Sequence, residues 1–334
     1  MLNPIMKRIL PLLLLSLLGC TVTTTVESDV QTLPEPDHFL TSEQTHSKFS
    51  RSIPPVLTIE PGDVVEMSTE EATDGQLTID SDTADLMKLS FDPIHPLTGP
   101  VFVNGAVPGD VLAVTLHKIE IGAWGWTAIL PGFGFLADEF TDPHLRTFEL
   151  AGKNNVRFAD GINIPLKPFA GVLGVAPDTD SLLSTIPPRA NGGNMDDPNM
   201  IEGTTVYLPV FVDGALFSIG DAHAAQGLGE VCGTAIEAPM KFLVEIDLIK
   251  DKNLAEPQYE NDEVYAVTAF ATTIDEAAKK ATRYMIEYLM ESYGLSRNDA
   301  YMLCSLAGDL KIAEVVDVPH VLVTMSIKKE VITK

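Results

Sequence analysis

Val206-Tyr207-Leu208-Pro209-Val210-Phe211-Val212-Asp213-Gly214-Ala215-Leu216-Phe217-Ser218-Ile219 sets two β-prone apolar runs on either side of Asp213-Gly214. Asp-Gly is the strongest short hairpin signal, because the tight turn it makes needs positive φ and both residues tolerate it. The same reading extends outward. Residues 54–59 and 64–67 flank Pro61-Gly62-Asp63, and residues 101–103 and 111–116 flank Pro108-Gly109-Asp110. In each turn Pro presets φ and Gly accepts the positive value. Hairpins repeated in this way predict a mainly β protein with a sandwich or barrel core.

Helix is expected only late. Thr273-Ile274-Asp275-Glu276 reads as a capping box, and Ala277, Ala281, Tyr284, Met285, Tyr288 and Leu289 recur at helical spacing, giving an amphipathic helix to about Glu291. Ser296 reads as the N-cap of a second helix through Leu306, stopped by Gly308, and strands follow over residues 310–316 and 321–327. The organisation expected is a β-rich catalytic core over residues 51–260 and a small α+β C-terminal part over 261–334.

The 334 residues carry 22 Lys and Arg against 47 Asp and Glu, a formal charge of −25. Such a chain repels a phosphate backbone, which argues against nucleic acid as a partner. Lys7-Arg8, the apolar run 9–18 and Leu17-Leu18-Gly19-Cys20 stand in the order of a secretory signal. They resemble the lipobox of bacterial lipoproteins, which implies a signal peptide over 1–19 and lipidation of Cys20. The expectation is a cell-envelope protein anchored in the membrane by that lipid, with Thr21 favouring the periplasmic face of the outer membrane. Residues 20–50 read as a tether, in which His38 and His46 are expected to be exposed.

The densest chemistry lies between Gly220 and Glu237. Asp221 and His223 are two apart, so on a continuing strand their side chains leave one face and can meet one ion. Carboxylate plus imidazole suits Zn2+, and a catalytic zinc needs a third protein ligand, which Glu230 or Glu237 can supply beside a proton-transfer group. Gly227 and Gly229 would let the backbone pass close to a small substrate. In Gly192-Gly193-Asn194-Met195-Asp196, the Asn194 carboxamide could face a ligand while Asp196 adds charge or orients a histidine. His95, in the stiff segment Asp92-Pro93-Ile94-His95-Pro96, suits a fixed ligand or general base. Trp124 and Trp126 are expected to pack, and Cys232 and Cys304 to be buried bystanders. A G-x-S-x-G elbow, an H-E-x-x-H helix, a Walker loop and a dinucleotide fingerprint are all absent from the sequence.

Taken in order, His95-Pro96-Leu97-Thr98-Gly99-Pro100, Pro108-Gly109-Asp110, the run 169–177 (FAGVLGVAP), Gly192-Gly193-Asn194-Met195-Asp196 and the segment 220–237 resemble the acetamidase/formamidase family. The resemblance implies a β-sandwich-type core, hydrolysis of short amides to ammonia and a carboxylate, a divalent metal, zinc before any other, and homo-oligomers, often dimers; Ca2+ belongs to the competing reading below. It makes Asp221 and His223 metal ligands, with Glu237 preferred over Glu230 as the third. The remaining glutamate would move protons, Asn194 would hold the amide, and His95 and Asp196 would shape the site. The competing reading is a membrane-tethered β-sandwich binding protein that holds a small ligand or glycan through a divalent ion.

Overall fold

The computed structural model describes residues 33–333; the signal segment, Cys20 and the first part of the expected tether lie outside the described residues. Nine strands form the larger sheet, in the order His38–Leu40, Asp63–Thr69, Met240–Ile249, Val111–Ile121, Thr205–Pro209, Gln258–Glu260, Val264–Ala271, Val321–Lys328 and Gly308–Glu314. A second sheet runs Gly192–Asn194, Phe169–Gly174, Phe217–His223, Leu97–Val103 and Thr45–His46, with Leu57–Ile59 paired in parallel to Leu97–Val103. Val65, Leu112, Leu208 and Phe242 of the first sheet share one apolar cluster with Val101, Leu173, Phe217 and Ile219 of the second. The fold is mainly β, a sandwich with its two long helices near the C-terminus, as the patterning predicts; one short helix, Thr83–Leu86, capped by Asp82, comes early where none was expected.

The turns do something other than expected. Thr205–Pro209 pairs with Val111–Ile121 in the larger sheet, whereas Phe217–His223 pairs with Phe169–Gly174 in the smaller one. Asp213-Gly214 is therefore no hairpin: the chain crosses there from one layer to the other. Gly214, Ala215 and Leu216 all take positive φ (72°, 59° and 59°) to make the crossing. The Pro-Gly-Asp segments behave alike, since Leu57–Ile59 and Leu97–Val103 lie in the smaller sheet and Asp63–Thr69 and Val111–Ile121 in the larger. An apolar run reports that a strand is covered, not which strand lies beside it. Crossing lets consecutive runs cover one another face to face.

Part of the expected tether is built into the core. His38–Leu40 adds a parallel edge to Asp63–Thr69, Thr45–His46 joins the smaller sheet, and Lys48–Phe49 pairs with Leu183–Ser184. Leu40 and Phe49 are buried anchors in an otherwise polar stretch. His46 is enclosed, its Nδ1 2.7 Å from the Lys48 carbonyl and its Nε2 2.8 Å from Ser218 Oγ. His38 is half-buried against Asp63.

The helix Ile274–Tyr293 starts at Thr273, whose hydroxyl accepts from the Glu276 amide. The reciprocal half of the expected box is replaced, because the Glu276 carboxylate takes the Thr272 hydroxyl instead. Ala277, Ala281, Met285 and Leu289 pack with Val267 and Val323 of the sheet below, in a core of their own. Ser296 caps the helix Arg297–Ala307, which ends at Gly308. The division expected at residue 260 falls inside an antiparallel pair, Gln258–Glu260 with Val264–Ala271. The C-terminal part is thus a continuation of the large sheet.

Candidate active site

The strand Phe217–His223 is buried along its whole length. Its last residues face the strand Phe169–Gly174, where Val172 pairs with Gly220 and Ala170 with Ala222. Gly171 lies between these pairs because a β-carbon there would stand 2.7 Å from the Asp221 carbonyl and 2.8 Å from His223 Cε1. Glu237 arrives on a separate segment. Its amide and carbonyl exchange hydrogen bonds with Trp126, and the Ala238 amide donates to the Ala222 carbonyl. That stitching sets Glu237 Oε2 3.1 Å from His223 Nε2, outside hydrogen-bond geometry, while Asp221 Oδ2 lies 3.6 Å from the same nitrogen.

The other anticipated residues converge on the same place. Gly192–Asn194 pairs with Phe169–Gly174 and delivers Asn194 and Asp196; the amides of Met195 and Asp196 both donate to the Gly171 carbonyl. Asp196 Oδ1 lies 3.5 Å from His223 Nδ1. His95 is held by Thr185, whose hydroxyl accepts from the His95 amide, and its Nδ1 is 3.7 Å from Asp221 Oδ2. Glu230 lines the same cavity. Asp196, Asp221 and Glu230 all adopt left-handed backbone (φ 42°, 48° and 45°). That region costs a non-glycine residue about 1 kcal/mol or more and persists where the surroundings impose it.

The tautomer of His223 follows from its neighbour. Gln226 Nε2 donates to the Asp196 carbonyl, so Gln226 Oε1 is left to accept from His223 Nδ1 at 2.8 Å. When the ring is neutral its proton sits on Nδ1, and the Nε2 lone pair is turned toward Asp221 and Glu237. Gln226 had no role in the sequence reading, although it stands only three residues beyond His223. Two acids from the far end of the chain were also missed. Asp317 accepts from Asn194 Nδ2 at 2.8 Å, and Glu314 accepts from the amides of Val316 and Asp317. Asp317 followed by Val318-Pro319 reads as an ordinary turn in sequence, so no local signal marks it.

Crowding dominates the electrostatics. Burial pushes Asp196 up to about 8 and Glu237 and Glu314 to about 7, and it raises Glu230 and Asp317 well above the usual carboxylate range. Burial acts the same way on Asp221, but the charged forms of His95 and His223 outweigh it and hold that carboxyl at about 2. Burial likewise opposes charge on His223, yet Glu237 and Asp221 outweigh it and raise that ring well above its ordinary value. Both oxygens of Asp196, Asp221 Oδ1, Glu237 Oε2 and Asn194 Oδ1 are buried without a hydrogen-bond partner among protein atoms. Asp196, Asp221 and His223 each offer a ligand atom within 4.8 Å of the others, and so do His223, Glu230 and Glu237. Buried acceptors left unpaired cost free energy unless a cation or donor meets them.

Some expectations fail here. Gly229 is spent on the sheet edge, its amide donating to the Ala313 carbonyl, and a β-carbon on Gly227 would meet nothing within 4 Å. The glycines that the site requires are Gly171 and Gly233. Cys232 is exposed, not buried, while Cys304 is buried as expected. Trp126 packs, and its Nε1 donates to the buried carboxylate of Glu71.

Comparison with known proteins gives the family. The chain is similar in structure to a predicted acetamidase/formamidase from Thermoanaerobacter tengcongensis, with a TM-score of 0.83, 33% identity and 88% of this chain and 96% of that one covered. An acetamidase from Yersinia enterocolitica gives a TM-score of 0.82 at 34% identity, over 90% of this chain and 94% of that one. The acetamidase of Mycolicibacterium smegmatis is 29% identical over 270 residues, 61% of this chain and 66% of that enzyme's length. The model of the acetamidase/formamidase family matches residues 37–185 and 179–334, and the chain belongs to that family.

Proposed function

We propose that this chain hydrolyses short linear amides of the formamide and acetamide type to ammonia and a carboxylate, at the cluster around His223. Family membership and the relatives named as acetamidases support an amidase. The observation that carries the reading is the cavity into which the unpaired acceptors open, about 50 Å³ in volume. Membership of a family of acetamidases and formamidases favours the amidase over a glycan-binding role.

The donor set fits a divalent cation, and Asp221, His223 and Glu237 would hold it. One imidazole among carboxylates suits Zn2+ better than Ca2+, which takes oxygen ligands. Bound there, the ion would supply Lewis acidity toward the amide carbonyl and lower the pKa of a water. The protein's own groups do the rest. Gln226 fixes the His223 tautomer. Asn194 has its amino group occupied by Asp317, so its free Oδ1 accepts an N–H of the substrate and orients the nitrogen. Glu230 lines the same cavity and, in its protonated form, would give a proton to the leaving nitrogen, which departs only as ammonia. Water's oxygen forms the new C–O bond, the C–N bond breaks, and the water's proton replaces the one Glu230 gave.

Ammonia release from formamide, acetamide and propionamide, with and without chelation, tests this reading. The expectation is ammonia and carboxylate in equal amounts, lost on chelation and restored by Zn2+. No ammonia from any amide with zinc-supplied protein would overturn the amidase reading; full activity in protein stripped of metal would overturn the metal alone. The envelope location is proposed on residues 7–20 only, and Cys20→Ser is expected to move the protein from the membrane to the soluble fraction.

A further inference from the structure

The reaction cavity is lined by the polar groups of the site and by apolar side chains, among them the loop residues Phe91 and Phe133. Phe133 lines the cavity and is itself half-buried, so it stands between the cavity and solvent. Its position is fixed by an interlock of two loops. The Phe133 amide donates to the Leu130 carbonyl, and the Phe135 amide donates to the Val231 carbonyl at 2.9 Å. Gly233 lies flat under the ring: a β-carbon there would come within 2.4 Å of Phe133 Cδ1. Gly134 meets the Cys232 backbone as closely, with a β-carbon 2.7 Å from the Cys232 carbonyl oxygen. Both glycines hold positive φ, 91° at Gly233 and 97° at Gly134. The ring is therefore pressed into a place from which it cannot retreat toward Gly233.

We propose that Phe133, seated on Gly233, is the residue that sets the acyl-length limit, confining substrates to amides with an acyl group of one or two carbons. This rests on the amidase reading above. The amide must lie against the polar groups, so its acyl chain is left to the apolar side chains of the lining. Of the aromatic side chains there, Trp126 is fixed by its hydrogen bond to Glu71 and Phe91 is exposed, whereas Phe133 is the half-buried ring seated against glycine backbone. Each added methylene that must displace a wall is discriminated by about 10-fold or more.

The experiment measures kcat/KM for formamide, acetamide, propionamide and butyramide with the wild type, Phe133→Ala, Phe133→Leu and the control Phe135→Ala, whose side chain is exposed. The wild type is expected to fall steeply beyond acetamide. Both Phe133 variants should raise the butyramide-to-acetamide ratio at least about tenfold, and Phe135→Ala should leave it unchanged. An unchanged ratio in both Phe133 variants overturns the proposal, as does a wild type that takes butyramide as readily as acetamide. Equal loss on every amide in both variants also overturns it, because the ring would then only hold the loop. Absence of ammonia from all four amides with the zinc-supplied wild type is a different failure and removes the amidase reading beneath it.

Discussion

Gly171 lies so close to Asp196 across paired strands that a β-carbon on Gly171 would stand 2.5 Å from Asp196 Oδ1. The same added atom would crowd the Asp221 carbonyl and the His223 ring. Gly171 is therefore the surface on which the acid and imidazole groups are registered. Gly171→Ala must push at least one of them aside, and a displacement of about 1 Å in a catalytic group costs about 100-fold in rate. The expected outcome is a loss of that order in kcat, with the secondary structure seen by circular dichroism unchanged.

Gln226 is expected to matter without touching substrate. Gln226→Leu removes the acceptor for His223 Nδ1 and the donor to the Asp196 carbonyl. Losing a partner of this kind lowers activity or metal affinity by about 10–100-fold. Titration of the protein with Zn2+, read by activity, should show the midpoint moving to higher metal concentration. An unchanged midpoint and rate would place Gln226 outside the site's support.

Glu71 anchors the wall that holds Trp126. Its carboxylate accepts from Thr73 N and Oγ1, from the Gly75 amide and from Trp126 Nε1. Burial raises its pKa and those hydrogen bonds only partly offset the effect. Glu71→Ala leaves several buried donors without a partner, at about 1–3 kcal/mol for each one that water does not reach. Urea denaturation should show a loss of a few kcal/mol in total, large for one side chain.

His46 makes the fold sensitive to acid. Burial lowers its pKa from 6.5 to about 4, against the opposing hydrogen bond to the Lys48 carbonyl. Between these values the unfolded chain binds a proton that the folded chain refuses. Stability from this residue is thus complete above about pH 6.5, declines as pH falls toward 4 and levels off below. At about 1.4 kcal/mol per pKa unit, the decline amounts to about 3 kcal/mol. Urea midpoints from pH 8 to pH 4 should show it, and His46→Gln should flatten that part of the profile.

Legibility in the sequence followed locality. Asp221, His223, Glu230 and Glu237 lie within one short run, and Asn194 and Asp196 within another, so their types and spacing could be read together. Asp317 reaches the site only because the connection between the last two strands of the large sheet meets Asn194, and Glu314 holds that connection, a placement no local pattern encodes. The strands themselves were visible as apolar runs. Their partners were not, because Asp213-Gly214 suits a crossing between layers as well as a turn between neighbours. Residues 38–49 were misjudged for a related reason: Leu40 and Phe49 bury, but the polar residues around them set the composition. Gly171 and Gly233 carried no signal, since what they require is absence of a side chain beside atoms distant in sequence.

Ammonia release from acetamide by purified wild type and by His223→Ala, both supplied with Zn2+ and matched for thermal midpoint, tests the central claim most directly. His223 stands at the meeting point of Asp221, Glu237, Asp196 and Gln226. The account predicts ammonia and acetate in equal amounts from the wild type and a rate at least about 1,000-fold lower from the variant, a loss of about 4 kcal/mol in transition-state stabilisation. A folded His223→Ala protein that releases ammonia at the wild-type rate would contradict it.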